Sequence, residues 1–449
     1  GKDLEAIGTI IDRKLPTMDE FMVEGRLTGS AKGLSLLAAK ADAKRGHLNL
    51  VVNGKVQDIV AFSGVNLKVK GSGRDLAEIG AIIDRKLPAT DVFEVQGRLT
   101  GSAKALSLQA ARGSARRGSL NIALNGGVKN LLTLRGLDLQ SKLTGRDLTE
   151  FGEIVGAQLP ATDQFEVLGR LTGSVETMAL QKASGKAKWG SVSLALKGEI
   201  MDVLALKSIN VRLKTTGKEL TAIGGPMVGS NLSKIGPFDI SGHLIGSAKL
   251  LLLNDLTAIV DKSDFKGLAK IEFRKRPKIT VRLESSVIDF TAIMRMAEKE
   301  KRELGKEKKR ERRLFPEDPL PFDALKKVDA DILMKARNIH AKDARLEFGH
   351  LTLKLQDGDF SIDRLEATYK QTKISGNLHL DSGLPPQAAT NFIVQGFDLG
   401  ELLKETGVSD QVRATLDIAA HLKSRGDSVH SLMANLDGSI GAVMGEGYL

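Results

Sequence analysis

A block of 72 residues recurs along this 449-residue chain, and a period this regular restricts the architecture more than any local motif does. Gly1-Lys2-Asp3-Leu4 returns as Gly73-Arg74-Asp75-Leu76 and Gly145-Arg146-Asp147-Leu148, then in altered form as Gly217-Lys218-Glu219-Leu220. Gly1 to Leu36 aligned with Gly73 to Leu108 gives 26 identities in 36 positions without a gap. Asp289-Phe290-Thr291-Ala292-Ile293 is a degenerate fifth start. The chain is therefore an array of one supersecondary unit.

Each unit opens with a helical pattern. Leu76, Ile79, Ile82 and Ile83 fall on one face, and Asp75 with Glu78 forms an N-cap pair. Leu15-Pro16, Leu87-Pro88 and Leu159-Pro160 stop the helix. The period then changes from 3.6 to 2. Phe93, Val95, Gly97 and Leu99 alternate with Glu94, Gln96, Arg98 and Thr100, which predicts a strand with one dry and one wet face. The phase recurs in Phe21, Val23 and Leu27, in Phe165, Val167 and Leu171, and in Phe238, Ile240 and Leu244. Further strands are expected around Leu106 and Leu108, around Leu120, Ile122 and Leu124, and around Leu132 and Leu134, separated by Gly-rich turns such as Asn125-Gly126-Gly127. The dry face changes parity near Gly64, Gly136 and Ser208, a spacing that predicts one β-bulge per unit.

These readings predict a mainly β fold with short helices (α+β): an elongated, coiled antiparallel sheet of tandem 72-residue repeats, apolar on one side, forming a groove or taco-like solenoid. One short helix per unit offers about four apolar side chains against roughly ten on the strands, too few to cover the dry face. Either the sheet curls so that this face lines a trough, or a second layer closes it. The repeats occupy 1–290, with starts near 1, 73, 145 and 217. A charged helical segment follows at 291–315, and a β region at 316–449 ends mid-pattern. Phe397-Asp398-Leu399-Gly400-Glu401-Leu402-Leu403 is a further copy of the short helix.

Composition narrows the function classes. The net charge of +11 is concentrated: ten Lys or Arg and five Glu between Arg295 and Arg313 leave only +6 for the rest of the chain. Aromatic residues make up 4%, with Trp189, Tyr369 and Tyr448 beside 15 Phe, so the stacking platforms of a nucleic-acid reader are lacking and no nucleic-acid partner is expected. Cysteine is absent, which removes thiolate chemistry. No apolar run approaches the roughly 18 residues of a spanning helix. The first residue is Gly1 with no basic-then-apolar leader before it, so targeting information is expected upstream.

The residues offer no catalytic constellation. The seven His are scattered, with His340 and His350 too far apart for a local ligand pair. Gly71-Ser72-Gly73 precedes a helix, but the sixth position of a dinucleotide loop is Leu76, and Leu143 or Thr215 replaces the first glycine in later copies. Asp3, Asp75 and Asp147 are explained as helix caps, and Arg98 and Arg170 as wet-face residues. No enzyme activity, cofactor or metal is expected.

The unit Gly-Arg-Asp-Leu-x-x-x-Gly, followed by Leu-Pro, Phe-x-Val-x-Gly-Arg-Leu-Thr-Gly-Ser and the long strand, resembles the repeats of the AsmA family of Gram-negative envelope proteins. Gly236-Pro237-Phe238-Asp239-Ile240-Ser241-Gly242, Arg276-Pro277, Ile288-Asp289-Phe290 and Phe315-Pro316-Glu317-Asp318-Pro319-Leu320-Pro321-Phe322 ahead of Val328-Asp329-Ala330-Asp331 strengthen the resemblance. It implies a periplasmic body of β-groove repeats, anchored in the inner membrane by an amino-terminal helix that this stretch lacks. It also implies a role in outer-membrane biogenesis, with phospholipid transfer between inner and outer membranes as the mechanism and assembly of outer-membrane proteins as the alternative. The implied partners are phospholipid acyl chains, both membrane surfaces and other envelope proteins. The expected lining is Phe21, Val23, Leu27, Phe93, Val95, Leu99, Phe165, Val167, Leu171, Phe238, Ile240 and Leu244, although the first strand of each unit could instead pack beneath the helix.

Overall fold

The computed structural model describes residues 17–30, 33–82, 87–156, 159–219, 236–291, 294, 315, 319–320, 325–341, 344–405, 407 and 410–445. Among these, 23 strands belong to an open sheet that does not close into a barrel, accompanied by four short helices. This is the expected mainly β class. Alternation of apolar and polar side chains dictates the strands, and Leu87-Pro88 and Leu159-Pro160 bar the first two helices from lengthening towards the strands that follow.

The chain divides into two compact units, residues 1–213 and 214–449. The first contains β1 (Glu20–Ser30), β2 (Gly33–Arg45), β3 (Leu48–Asp58), β4 (Ser63–Gly73), α1 (Ala77–Ile82), β5 (Val92–Ser102), β6 (Ala105–Arg117), β7 (Leu120–Asn130), β8 (Arg135–Gly145), α2 (Leu148–Val155), β9 (Gln164–Ser174), β10 (Ala179–Trp189) and β11 (Val192–Met201). From β1 to β11 each strand pairs antiparallel with the next in sequence. One repeat is thus four strands and a helix. β12 (Ser208–Gly217) runs through the unit boundary.

The second unit holds the fourth copy, β13 (Phe238–Ser247), β14 (Leu250–Val260), β15 (Ser263–Glu272) and β16 (Lys278–Asp289). Then come β17 (Asp329–Ala341), β18 (Ala344–Gln356), β19 (Asp359–Tyr369), β20 (Thr372–Asp381), β21 (Gln387–Asp398), α3 (Leu399–Glu405), β22 (Thr415–Arg425), α4 (Val429–Ala434) and β23 (Asp437–Met444). Pairing is again between consecutive strands, antiparallel except for the parallel pair β16–β17. A parallel neighbour needs a long crossover. Residues 290–328 supply it, and most of the expected charged helix there lies outside the described residues, as do residues 1–16 and 220–235, where the first and fourth helix starts are expected. The copy of the helix expected at Phe397–Leu403 is α3.

A small polar clamp locks α1 and α2 each to the strand that follows. Asp147 is the N-cap of α2: its Oδ1 accepts from Thr149 N at 3.0 Å and from Thr162 N at 3.3 Å. Thr162 Oγ1 accepts from Leu148 N at 2.9 Å and donates to Arg146 O at 2.8 Å. Asp75 and Thr90 repeat the geometry at α1, with Ala77 N and Leu76 N each 2.9 Å from their acceptors. Asp289 in the second unit also takes the amide two residues on, Thr291 N, at 2.8 Å. The expected partner Glu78 does not complete a capping box. It lies beside Gly46 of a hairpin turn, and its counterpart Glu150 accepts from Ser119 N at 3.0 Å, so this glutamate ties the helix to the hairpin of the preceding strands.

The bonds from Thr149, and that from the Thr162 amide, hold the Asp147 carboxyl below the ordinary aspartate value of 3.8. A depressed folded value means that its stabilisation is complete above 3.8 and is lost as the pH falls through the folded value. The thermal midpoint should therefore drop in acid, and the acid-induced drop should be smaller in Asp147→Ala than in the parent chain. Paired melts near neutral pH and below 3.8 check this.

Two expectations about strand irregularities are corrected. Val60, Phe62, Leu132, Leu134, Leu204 and Leu206 are not in strands: residues 59–62, 131–134 and 203–206 are turns between the third and fourth strands, which is why parity changes there. Gly64 and Gly136 are the second residues of the next strands, at φ 59 and 66, and at Gly136 the register against β9 also slips. The bulge common to all four copies is in the second strand. Ala38, Ala110, Lys182 and Asp255 have φ of 51, 48, 49 and 49, and the register shifts beside each of them. Asn125-Gly126-Gly127, expected as a turn, lies inside β7. There Gly126 adopts φ 148, and a Cβ on it would overlap the carbonyl oxygen of Asp138 on β8, so only glycine admits this approach.

Among the described residues no helix is long and apolar enough to cross a membrane, and no three His, Asp or Glu gather as a metal site.

Candidate functional site

Ladder partners in a sheet point to the same face, so the registers convert alternation within strands into rows across them. In the first unit Phe93, Ala115, Ile122, Leu143, Val167, Gly185 and Leu196 are successive partners from β5 to β11, without one polar side chain. A neighbouring row runs Phe21, Ala43, Leu50, Gly71, Val95, Gly113, Leu124, Ser141 and Gly169 from β1 to β9. In the second unit Leu244, Leu253, Ala269, Val281, Ile332, Leu353, Ile362, Leu378, Thr390 and Leu422 are partners across ten strands. Nine inter-strand steps at ~4.8 Å make that row on the order of 43 Å long.

Every member of the second-unit row is half-buried, and so is every member of the β5–β11 row except Phe93. Had a second layer closed the dry face, these side chains would be core. Among the described residues nothing covers them but the short helices, so the apolar face remains accessible and in contact mainly with its own neighbours.

The twelve residues expected as lining separate into groups. Phe93, Phe165 and Phe238 are 3%, 2% and 3% exposed and serve as core. The Phe165 ring lies against Gly145, where a Cβ would come within 2.7 Å of its Cε1, so this phenylalanine packs into the space a missing side chain leaves. Phe21, Val95, Leu99, Val167, Leu171, Ile240 and Leu244 are half-buried on the open face. Val23 and Leu27, on β1, are exposed at 50% and 57%. Leu99 is joined across the ladder to Leu67 and Leu108, and Leu171 to Leu139 and Leu180. The residues that sequence reasoning missed as lining, Leu67, Leu139, Leu143, Leu196 and the β15–β22 members of the second-unit row, carry the same alternation. What the sequence alone lacks is the register that joins them.

Under the helices the face deepens. A cavity of ≈ 290 Å³ is lined by Leu76 and Ile154 from the two helical segments and by Val95, Gly113, Ile122 and Leu124 from the strands, among others. A larger hollow of ≈ 1080 Å³ opens on the wet side, lined by Gln109, Asn125, Asp138, Gln140, Arg170 and Lys182. Its central charges are already matched: Arg170 Nε and Nη2 each donate to Asp138 at 2.6 Å, a bidentate pair that holds the Asp138 carboxyl below its usual range. Arg170 thus does more than keep the wet face soluble. Lys70–Glu94 at 2.8 Å and Lys142–Glu166 at 2.9 Å repeat one cross-strand ion pair at the 72-residue spacing, and Lys214–Asp239 at 2.9 Å continues it in the second unit. These exposed pairs favour register and solubility more than stability.

A family model described as the AsmA family matches residues 38–449. Among curated proteins, the chain is similar to the AsmA family protein YhjG of Escherichia coli (strain K12), 24% identical over 371 residues, covering 79% of this chain and 46% of that protein. The chain thus spans about half the length of this relative. No solved structure matches.

Proposed function

This chain belongs to the AsmA family, and on that premise we propose that it is a periplasmic envelope protein that supports outer-membrane biogenesis by carrying phospholipid acyl chains along its open apolar strand face between the two membranes. The observation that carries the reading is the row from Leu244 to Leu422: ten strands in succession present side chains that are neither core nor fully solvated, and only Thr390 is polar. Such a face is too extensive to leave wet without purpose.

The energetics favour this use. Drawing one 16-carbon acyl chain into water costs about 13 kcal/mol at ~0.8 kcal/mol per methylene, so unassisted transfer is slow. A row of generic aliphatic side chains keeps the chain buried at each step and offers similar sites in succession, which leaves only small barriers between them. The head group stays in water at the rim. The reading assigns the chain no catalytic step.

Detergent-free purification followed by extraction and mass spectrometry tests it. Phospholipid retained at about one molecule or more per chain is the expected result. A lipid-free chain that also fails to take phospholipid from vesicles would overturn the reading and leave the alternative, a scaffold for outer-membrane protein assembly.

A further inference from the structure

Within the open face, two glycines are not explained by backbone or packing. Gly113 and Gly185, 72 residues apart, sit in β6 and β10 on the dry side, and neither has a positive φ. A Cβ on Gly113 would meet nothing nearer than Glu94 O and Leu124 Cβ at 4.0 Å, and one on Gly185 would meet Leu196 Cβ at 3.7 Å. Those are open space and ordinary contact. A glycine inside a strand costs roughly 0.5–1 kcal/mol relative to alanine, so the missing side chain calls for another reason.

That reason is the space it leaves. Gly113 lies between Val95 and Leu124 on the ladder and lines the 290 Å³ apolar cavity, which Leu76 and Ile154 bound from the helical side. At one end of this cavity stands Arg117, half-buried on the apolar face opposite Leu120, and no ion pair to it occurs among the described residues. Arg45 occupies the same place one repeat earlier, opposite Leu48. The acid that also lines the cavity, Glu94, is held by Lys70 at 2.8 Å. A partly open apolar slot edged by a guanidinium that has no ion pair among the described residues complements one kind of guest, an acyl chain ending in an anionic phosphate.

We propose that the first unit holds acyl chains in two discrete bays, in its second and third repeats: Gly113 floors one and Gly185 the next, Ala41 standing at this place in the first repeat, and Arg117 at the edge of the Gly113 bay binds the phosphate of an anionic phospholipid. This rests on the transport reading above and adds to it that cargo pauses in each of the two bays. On this reading movement between the two bays is a step of one repeat.

The test uses the full chain loaded from vesicles of phosphatidylglycerol carrying a diazirine on one acyl chain, with the crosslinks mapped by mass spectrometry. In the parent chain Leu120–Leu124 in the first unit and Leu351–Leu355 in the second should both be labelled. Gly113→Leu fills the floor and should cut labelling of Leu120–Leu124 at least about fivefold while Leu351–Leu355 stays labelled. Unchanged labelling of Leu120–Leu124 in that variant overturns the bay while leaving transport intact. Absence of label in both units of the parent chain overturns the transport reading, and the bay with it. If Gly113→Leu fails to fold, Gly185→Leu decides by the same readout at Val192–Leu196. Arg117→Glu should lower phosphatidylglycerol capture about fivefold, the effect of one basic residue at an anionic surface, and leave phosphatidylcholine capture unchanged. Equal loss of both lipids would overturn the role of Arg117.

Discussion

Leu139→Asp combined with Leu171→Asp should leave the chain folded and reduce phospholipid photolabelling across β8–β10 more than tenfold. The two leucines are ladder partners, Leu171 continues to Leu180, and Leu180 continues to Ile200. Both are half-buried, so in the empty protein each new carboxylate still reaches water and costs the fold little. An acyl chain laid over them would remove that water. Desolvating a carboxylate without a partner costs several kcal/mol, well above the ~1.4 kcal/mol that corresponds to tenfold in binding. The control is Leu139→Ala with Leu171→Ala, which keeps the face apolar and should retain most of the labelling. Full labelling of the aspartate variant, with an unchanged circular dichroism spectrum, would mean that cargo does not travel on this face.

Gly126→Ala should destabilise the first unit by about 3 kcal/mol or more, from backbone strain of roughly 1–3 kcal/mol and a steric term of similar size. The added methyl would overlap the Asp138 carbonyl oxygen and lie 3.1 Å from Leu139 Cα, and both groups are backbone of the adjoining strand, which cannot swing aside. Gly113→Ala is the matched control: its methyl meets nothing within 3.9 Å, so it should be neutral or slightly stabilising. Urea unfolding followed through Trp189 fluorescence, the single tryptophan of the chain, reports on this unit. Equal midpoints for the two variants would show that β7 and β8 do not approach as closely as the structure places them.

These two glycines show where sequence reading stops. Asn125-Gly126-Gly127 has the composition of a turn, yet lies mid-strand, because the need for glycine there arises from a carbonyl on another strand rather than from local chain reversal. Asp147 and Thr162 were legible only in part. The cap follows from the spacing to the helix, while the return bonds from Thr162 depend on where the chain comes back after Pro160. The lining divided for the same reason. Phe165 and Val167 look equivalent in a period-2 pattern, but the first packs over Gly145 and the second remains on the open face.

The amino-acid sequence by itself determined the 72-residue unit, the strand-rich class, the wet and dry faces and the helix stops, because each depends on interactions within a few residues. Only the tertiary structure decided that Leu244 to Leu422 align as one row, that Phe93, Phe165 and Phe238 withdraw into the core while Phe21 does not, and that Gly113 leaves a hollow. Those outcomes depend on register, and register is set by strand-to-strand hydrogen bonds and bulges such as those at Ala38 and Ala110. A slip of one residue would turn every apolar side chain to the other face without altering a single local preference.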